Sequence, residues 1–175
     1  MRRHLLMKRN VLLLLAVALL FSGCAMPKNA EEFRQFTQSA PGFAKIMDTF
    51  EVERPFRDVS ATLRKKSEEC LKVSINWSVQ TSGQFNTRTG VNTYKPTFVA
   101  NTSRAELHVQ LQRSNVIEVG SPPDGSYRVV LDATPIAKNR TRIDMYASND
   151  ASLIVKAMRG WVRGDNLGCP DLTKK

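Results

Sequence analysis

The chain has 175 residues, with 26 Lys and Arg against 16 Asp and Glu, for a formal net charge of +10. Four basic residues and no acidic residue lie in residues 1–10, so part of this charge belongs to the amino terminus. The other basic residues are scattered, and this pattern argues against the clustered basic surface that binds nucleic acid.

The first 24 residues contain a basic segment, an apolar segment and a cysteine, in that order. The apolar segment spans residues 11–21, which is shorter than the roughly 20 residues that a membrane-spanning helix needs. The small residues Ser22 and Gly23 come directly before Cys24. This arrangement resembles the lipobox of bacterial lipoproteins, in which a peptidase cuts before the cysteine and the thiol carries a lipid. The alternatives are an ordinary cleaved signal, or an uncleaved anchor, with an incidental cysteine.

The resemblance implies a palmitate-bearing protein that is attached to a membrane by its acyl chains without crossing it. The residue after the cysteine is Ala25, which in enterobacterial lipoproteins favours the outer membrane over the inner one. We therefore expect an outer-membrane lipoprotein on the periplasmic face. The expected divisions are a signal peptide (residues 1–23), a lipid-anchored tether with helical segments (residues 24–50) and one globular domain (residues 51–175).

Two short helices are predicted in the tether. Asn29 and Glu32 have the spacing of a reciprocal N-terminal cap. Further on, Phe43, Ile46, Met47 and Phe50 follow helical spacing and predict a second helix.

Two helices and at least four strands are predicted in the globular domain. A short strand at residues 51–54 is followed by Pro55, which favours the start of a helix. The side chains on one face of this helix are apolar: Phe56, Val59, Leu63 and Cys70. Period-2 alternation predicts strands around Val73–Val79, Ala105–Leu111, Tyr127–Ala133 and Ile143–Ala147. The last helix has an apolar stripe that includes Trp161, and Gly164 stops it.

Strands with one apolar face and one polar face predict an α+β fold of two layers, with a curved, mostly antiparallel sheet covered on one face by two helices. The element order is similar to that of helix-grip folds. A pocket between the sheet and the Trp161 helix is one possible consequence, but packed core is the expected one.

Residues 81–98 contain Thr, Asn, Gly and Pro, and they predict a long loop or a ragged hairpin. Phe85, Arg88, Tyr94 and Phe98 lie within this segment. Exposed aromatic and arginine side chains make good anchors for a protein partner. We therefore expect residues 82–98 to form a partner-binding loop.

Cys70 and Cys169 are expected to form a disulfide, because cysteines in the oxidising periplasm normally pair. The disulfide would join the end of the earlier helix to the segment after the last helix. A reactive thiol is the alternative, although nothing adjacent to either cysteine would clearly lower its pKa.

No catalytic motif is found, and we expect neither a cofactor nor a metal site. His108 is the only histidine after residue 23, and a lone histidine rarely holds a metal. The sequence favours a non-enzymatic accessory protein that binds an envelope protein through residues 82–98 or a sheet edge. The alternatives are a protein that carries a lipid or another small apolar ligand and, less favoured, a cell-wall hydrolase.

Overall fold

The computed structural model describes residues 26–39, 45–80, 87–114, 120–165 and 168–174. Cys24 and Phe85 lie outside these ranges. No helix within them is long and apolar enough to cross a membrane. The elements of these ranges are, in chain order, α1 (Ala30–Ser39), β1 (Lys45–Val52), α2 (Phe56–Cys70), β2 (Val73–Gln80), β3 (Thr87–Ala100), β4 (Ala105–Arg113), β5 (Ser126–Ala137), β6 (Arg140–Ser148), a 3-10 turn (Asn149–Ala151) and α3 (Ser152–Arg163).

The strands form one sheet in the order β1-β6-β5-β4-β3-β2. Every neighbouring pair is antiparallel, and the sheet does not close on itself, so β1 and β2 are its edges. At the β5–β6 hairpin, Ala137 pairs with Arg140. The α+β class and the antiparallel sheet are therefore as the sequence predicts.

One face of the sheet packs against α2 and α3 to form the main core. Alternate residues of the central strands point to this face, as the period of a strand requires. The side chains that fill this core include Leu63, Leu107, Leu131, Met145, Met158 and Trp161, all fully buried. Because Trp161 and Met158 of α3 are fully buried in the main core, the side of α3 that faces the sheet is packed core, as expected.

The opposite face of the sheet is partly covered by α1. Ala30 and Phe33 of α1 pack on Val130 of β5, with Tyr127 and Tyr146 beside them. Successive residues of a strand point to opposite faces, so Val130 and its buried neighbour Val129 serve different layers. Helix α1 thus partly covers the face of the sheet that the sequence predicts to be uncovered.

The predicted cap begins α1. Asn29 Oδ1 accepts a hydrogen bond from the Glu32 amide at 2.8 Å, and Asn29 Nδ2 donates to Glu32 Oε1 at 2.8 Å. This reciprocal pair satisfies a backbone donor that the helix leaves unpaired at its first turn.

The prediction of a second tether helix is wrong for residues 45–50, which belong to β1. Ile46 and Phe50 pack on the main core, whereas Met47 between them is 61% exposed. Positions separated by an even number fit strand alternation as well as helical spacing, and pairing with β6 decides the outcome. The expected boundary between residues 50 and 51 therefore falls inside a strand.

The prediction of a loop is wrong for residues 87–98, which form most of β3. Strand β3 has 14 residues and contains Pro96, which argues against a central strand. Its pairing with β2 extends only to Tyr94, which lies opposite Val73, the first residue of β2. At Pro96, β3 therefore has only β4 beside it. A proline is tolerated there because the missing amide faces no partner. The hairpin alternative was the better interpretation.

A disulfide joins Cys70 at the end of α2 to Cys169, with the Cα atoms 5.0 Å apart. Cys70 is buried against the main core, and Leu172, three residues beyond the disulfide, also packs there. The bond thus fastens the segment after α3 to the end of α2, as the sequence predicts.

Cleavage of this disulfide should destabilise the fold. The two cysteines are 99 residues apart in sequence, and opening so large a loop costs about 3–5 kcal/mol through the entropy of the unfolded chain. Urea unfolding of the Cys24→Ser chain with and without reductant measures this loss. The same chain with Cys169→Ser should unfold at the lower urea concentration in both conditions, and equal midpoints for all four samples would contradict the prediction.

Candidate functional site

Of the residues predicted to form a partner-binding loop, Arg88, Tyr94 and Phe98 lie in β3, and Phe85 lies outside the described residues. Arg88 is exposed at the start of β3, whereas Tyr94 and Phe98 are half-buried against the main core. Burial raises the pKa of the Tyr94 hydroxyl, and the Arg64 guanidinium lies over the Phe98 ring, 5.3 Å from its centroid. A partner-binding role for these residues stays a prediction. In the described structure they belong to a strand, so a partner would meet a strand and not a loop.

Strand β2 is an open edge of the sheet. No strand of the described residues pairs with its outer side. Its sequence, Val-Ser-Ile-Asn-Trp-Ser-Val-Gln, contains no charged residue and no proline. Natural edge strands usually carry such residues because they prevent pairing with other chains. The opposite edge, β1, does carry Asp48 and Glu51. Charged residues therefore protect β1 against pairing with another chain, whereas β2 lacks this protection.

Hydrogen bonds in β3 determine which backbone groups of β2 point outward. The Ser114 amide donates to Val91 O at 3.0 Å, and the Val91 amide donates to Ser114 Oγ at 2.8 Å. The backbone of Val91 thus points toward β4. Asn76 lies opposite Val91, so its own N–H and C=O point away from β3. By the two-residue period, Ser74 and Ser78 also present their backbone groups to the open side.

The side chains of β2 differ between its two faces. On the face of α2 and α3, the Trp77 ring lies against Gly90, where a Cβ atom would come within 2.6 Å of it. Trp77 Nε1 donates to Asn92 Oδ1 at 3.2 Å, and Val79 is 50% exposed. Ser74, on the other face, hydrogen-bonds to Thr93. A strand added to β2 would therefore meet apolar side chains on one face and polar ones on the other.

A buried arginine joins α1 to the sheet. Arg34 Nε and Nη2 donate to the two carboxylate oxygens of Asp132, both at 2.8 Å. Nη2 also donates to Glu106, and Nη1 donates to Glu31 at 3.1 Å. Desolvation lowers the pKa of Arg34, but the hydrogen bonds to Asp132 and Glu106 raise it by more. A two-pronged bond of this kind fixes both position and orientation.

Further side chains enclose the same carboxylates. Arg104 donates to Asp132 at 2.8 Å and to Glu106 at 3.3 Å, and His108 Nδ1 lies 3.3 Å from Glu106. Burial raises the pKa of Glu106, but Arg34 and His108 lower it by more, so the net shift is downward. His108, expected on the polar face, is therefore part of this network of hydrogen bonds. Within the described ranges, no group of three His, Cys, Asp or Glu residues could hold a metal ion.

Two features of these surfaces differ from what the sequence patterns predict. The inward face of α1 follows the helical spacing of Ala30, Phe33, Arg34 and Thr37, all buried. The presence of a charged residue in that stripe was the available signal for a buried ion pair. The absence of charge along β2 was the signal for an unprotected edge.

The sequence matches no family model and no curated protein sequence. Among solved structures, the chain is similar to a hypothetical protein from Helicobacter pylori, at 14% identity and a TM-score of 0.37. The match covers 71% of this chain and 88% of the Helicobacter pylori chain.

Replacement of Arg34 should release α1 from the sheet. Arg34→Met leaves buried carboxylates without their main partner, and we expect a loss of about 3 kcal/mol in the free energy of unfolding at neutral pH. Because the pKa of Glu106 is lowered in the folded state, the stabilisation is present above the ordinary glutamate pKa of about 4.3 and disappears as the pH falls through the folded value. The difference in the free energy of unfolding between Arg34→Met and the unmodified chain should therefore become smaller at acidic pH. Urea unfolding at several pH values measures it.

Arg142→Met is the matched control, because Arg142 pairs with Asp144 but is 51% exposed. An exposed ion pair contributes about 0–1 kcal/mol. Hydrogen exchange of the α1 amides should accelerate in Arg34→Met and stay unchanged in Arg142→Met. Equal protection of α1 in the two variants would show that Arg34 does not hold the helix.

Proposed function

We propose that the chain is a lipid-anchored protein of the outer membrane, facing the periplasm, whose folded domain binds an extended segment of another envelope protein along β2. The observation that carries this proposal is the edge of β2, which combines outward backbone groups with a complete absence of charge. Extended peptides bind such edges by adding a strand, and main-chain hydrogen bonds then supply much of the affinity.

The proposed anchoring is supported by the amino-terminal pattern and by the position of α1. Only five residues separate Cys24 from Ala30, the first residue of α1. A fully extended chain spans at most about 3.6 Å per residue, which places α1 within about 20 Å of the lipid. Because α1 is docked on the sheet through Arg34, the whole domain would be held close to the membrane. The disulfide between Cys70 and Cys169 fits an oxidising compartment.

The chemistry of the proposed partner segment follows from the faces of β2. Next to Ile75, Trp77 and Val79 we expect apolar side chains, and next to Ser74 and Asn76 we expect polar ones. A segment with period-2 alternation therefore fits best. Its backbone would meet outward donors and acceptors at every second residue of β2.

A binding role is also favoured over an enzymatic one by the way the charged groups are used. Asp132 and Glu106, the carboxylates that the fold brings together, are both bonded to Arg34 and Arg104. Carboxylates held in this way are positioned to dock α1, and their charge is neutralised by two guanidinium groups.

The anchoring can be tested on the full chain in cells. We expect labelled palmitate to enter the protein, and the mature protein to sediment with outer membranes, because Cys24 carries the acyl chains. The Cys24→Ser chain should take up no label. Incorporation that survives this change, or a mature protein that retains residues 1–23, would contradict lipidation at Cys24.

The partner site can be tested with a photo-crosslinking residue at Ser78 of the full chain in intact cells. We expect capture of one dominant envelope protein. Asn76→Pro removes an outward N–H without removing a β2–β3 hydrogen bond, so capture should fall at least tenfold. Proline is tolerated on the open side of an edge strand, and the thermal unfolding midpoint of the variant checks that the domain still folds.

Asn76→Ala is the matched control, because it changes the same side chain and keeps the backbone donor. It should capture the partner as well as the unmodified chain does. Equal losses in Asn76→Pro and Asn76→Ala would show that the side chain, and not strand addition, is responsible. A crosslink at twice the mass of the chain would show that β2 pairs with a second copy instead.

A further inference from the structure

A second surface of interest is an open groove of about 700 Å³ between α2 and the turn that joins β3 to β4. Two neighbouring rows of α2 side chains line it at intervals of four residues, one with Phe56, Ser60 and Arg64 and one with Arg57, Ala61 and Lys65. Ala100, at the end of β3, lies on the other side. The volume is within the range of pockets that hold small amphiphilic ligands.

The groove combines an apolar lining with a basic rim. Phe56, Ala61 and Ala100 supply apolar surface, and the half-buried Phe98 lies close by beneath Arg64. Arg57, Arg64 and Lys65 supply three positive charges along one side of one helix. Lys65 also reaches Glu69 at 3.8 Å, but both side chains are largely exposed, so this pair leaves the positive character of the rim in place.

The groove lies beside the free end of β3. Strand β2 pairs with β3 only as far as Tyr94, so residues 95–100 of β3 have an open side. Of this segment, Ala100 lines the groove and Phe98 lies beneath Arg64 of α2. An elongated apolar group could lie between α2 and Ala100 without displacing a strand.

The position of the groove connects it to α1. The β3–β4 turn contributes Asn101 and Thr102 to the groove, and two residues later Arg104 bonds to Asp132, the partner of Arg34. The groove and the docked α1 are thus linked through Asp132, and five residues separate Cys24 from the start of α1. If Cys24 carries lipid, the groove is close to a membrane surface.

We propose that this groove binds one anionic phospholipid, with the phosphate between Arg57, Arg64 and Lys65 and an acyl chain along Phe56, Ala61 and Ala100. The match of charge and of apolar surface carries the proposal. Arginine side chains bind phosphate through paired donors, and a lysine adds a point charge. The access of the groove to membrane lipid rests on the proposed anchoring, whereas the groove itself does not involve β2.

The test uses the mature chain with Cys24→Ser, which keeps every contact described above, because all of these contacts lie within residues 26–174. Titration with soluble short-chain phosphatidylglycerol should saturate at one molecule per chain. Short-chain phosphatidylcholine, which is apolar but neutral overall, and glycerol phosphate, which is anionic but lacks acyl chains, should each bind at least tenfold more weakly. If phosphatidylcholine or glycerol phosphate bound as tightly as phosphatidylglycerol, the proposal would be overturned, because the site would then recognise only apolar surface or only charge.

Variants locate the site. Arg57→Gln with Arg64→Gln should weaken phosphatidylglycerol binding at least tenfold, and the exposed single change Arg57→Gln should weaken it severalfold if the double variant does not fold. Arg88→Gln with Arg113→Gln, toward the opposite end of β3 and β4 from Ala100, removes the same charge and should leave binding unchanged. Equal weakening in the two double variants would show that net charge, and not the groove, attracts the lipid.

Because Cys24 carries no lipid in this chain, a failure of phosphatidylglycerol binding disproves the groove proposal and leaves the anchoring proposal untouched. An absence of palmitate label in the unmodified chain would disprove the anchoring and would not affect the lipid titration. The two results are therefore separable.

Discussion

The ion pair between Arg34 and Asp132 holds α1, the first helix of the described residues, in place on the sheet. The other described contacts of α1 with the sheet include the packing of Ala30 and Phe33 on Val130 and a hydrogen bond from Gln38 to Tyr146. A guanidinium that bonds both oxygens of one carboxylate adds a defined orientation to these contacts. Under the proposed lipidation of Cys24, this ion pair would also influence which side of the domain faces the membrane.

The two candidate binding surfaces lie near different parts of β3. Strand β2 has 8 residues and β3 has 14, so β3 continues well beyond its partner. Where the two strands pair, β2 presents an open edge. Beyond the end of this pairing, Ala100 of β3 lines the groove between α2 and the β3–β4 turn. Pro96 is compatible with this arrangement because it occurs in the segment where β3 has only one partner.

Elements with a strong apolar period could be predicted from the sequence, and those that depend on a partner could not. Strands β4, β5 and β6 alternate cleanly, and the stripe of α3 ends at Gly164, which adopts the left-handed conformation expected of a helix stop. Strand β1 was predicted as a helix because its apolar positions fit both periods. Strand β3 was predicted as a loop or hairpin because Gly90 and Pro96 are unfavourable in strands, and only pairing with β2 and β4 overcomes that cost.

The two candidate surfaces can be occupied at the same time. A strand added to β2 would lie beyond the pairs that run from Val73 with Tyr94 to Gln80 with Thr87. A lipid in the groove would instead contact α2, Ala100 and the β3–β4 turn. The two sites therefore share no residue, and binding at one would leave the other accessible.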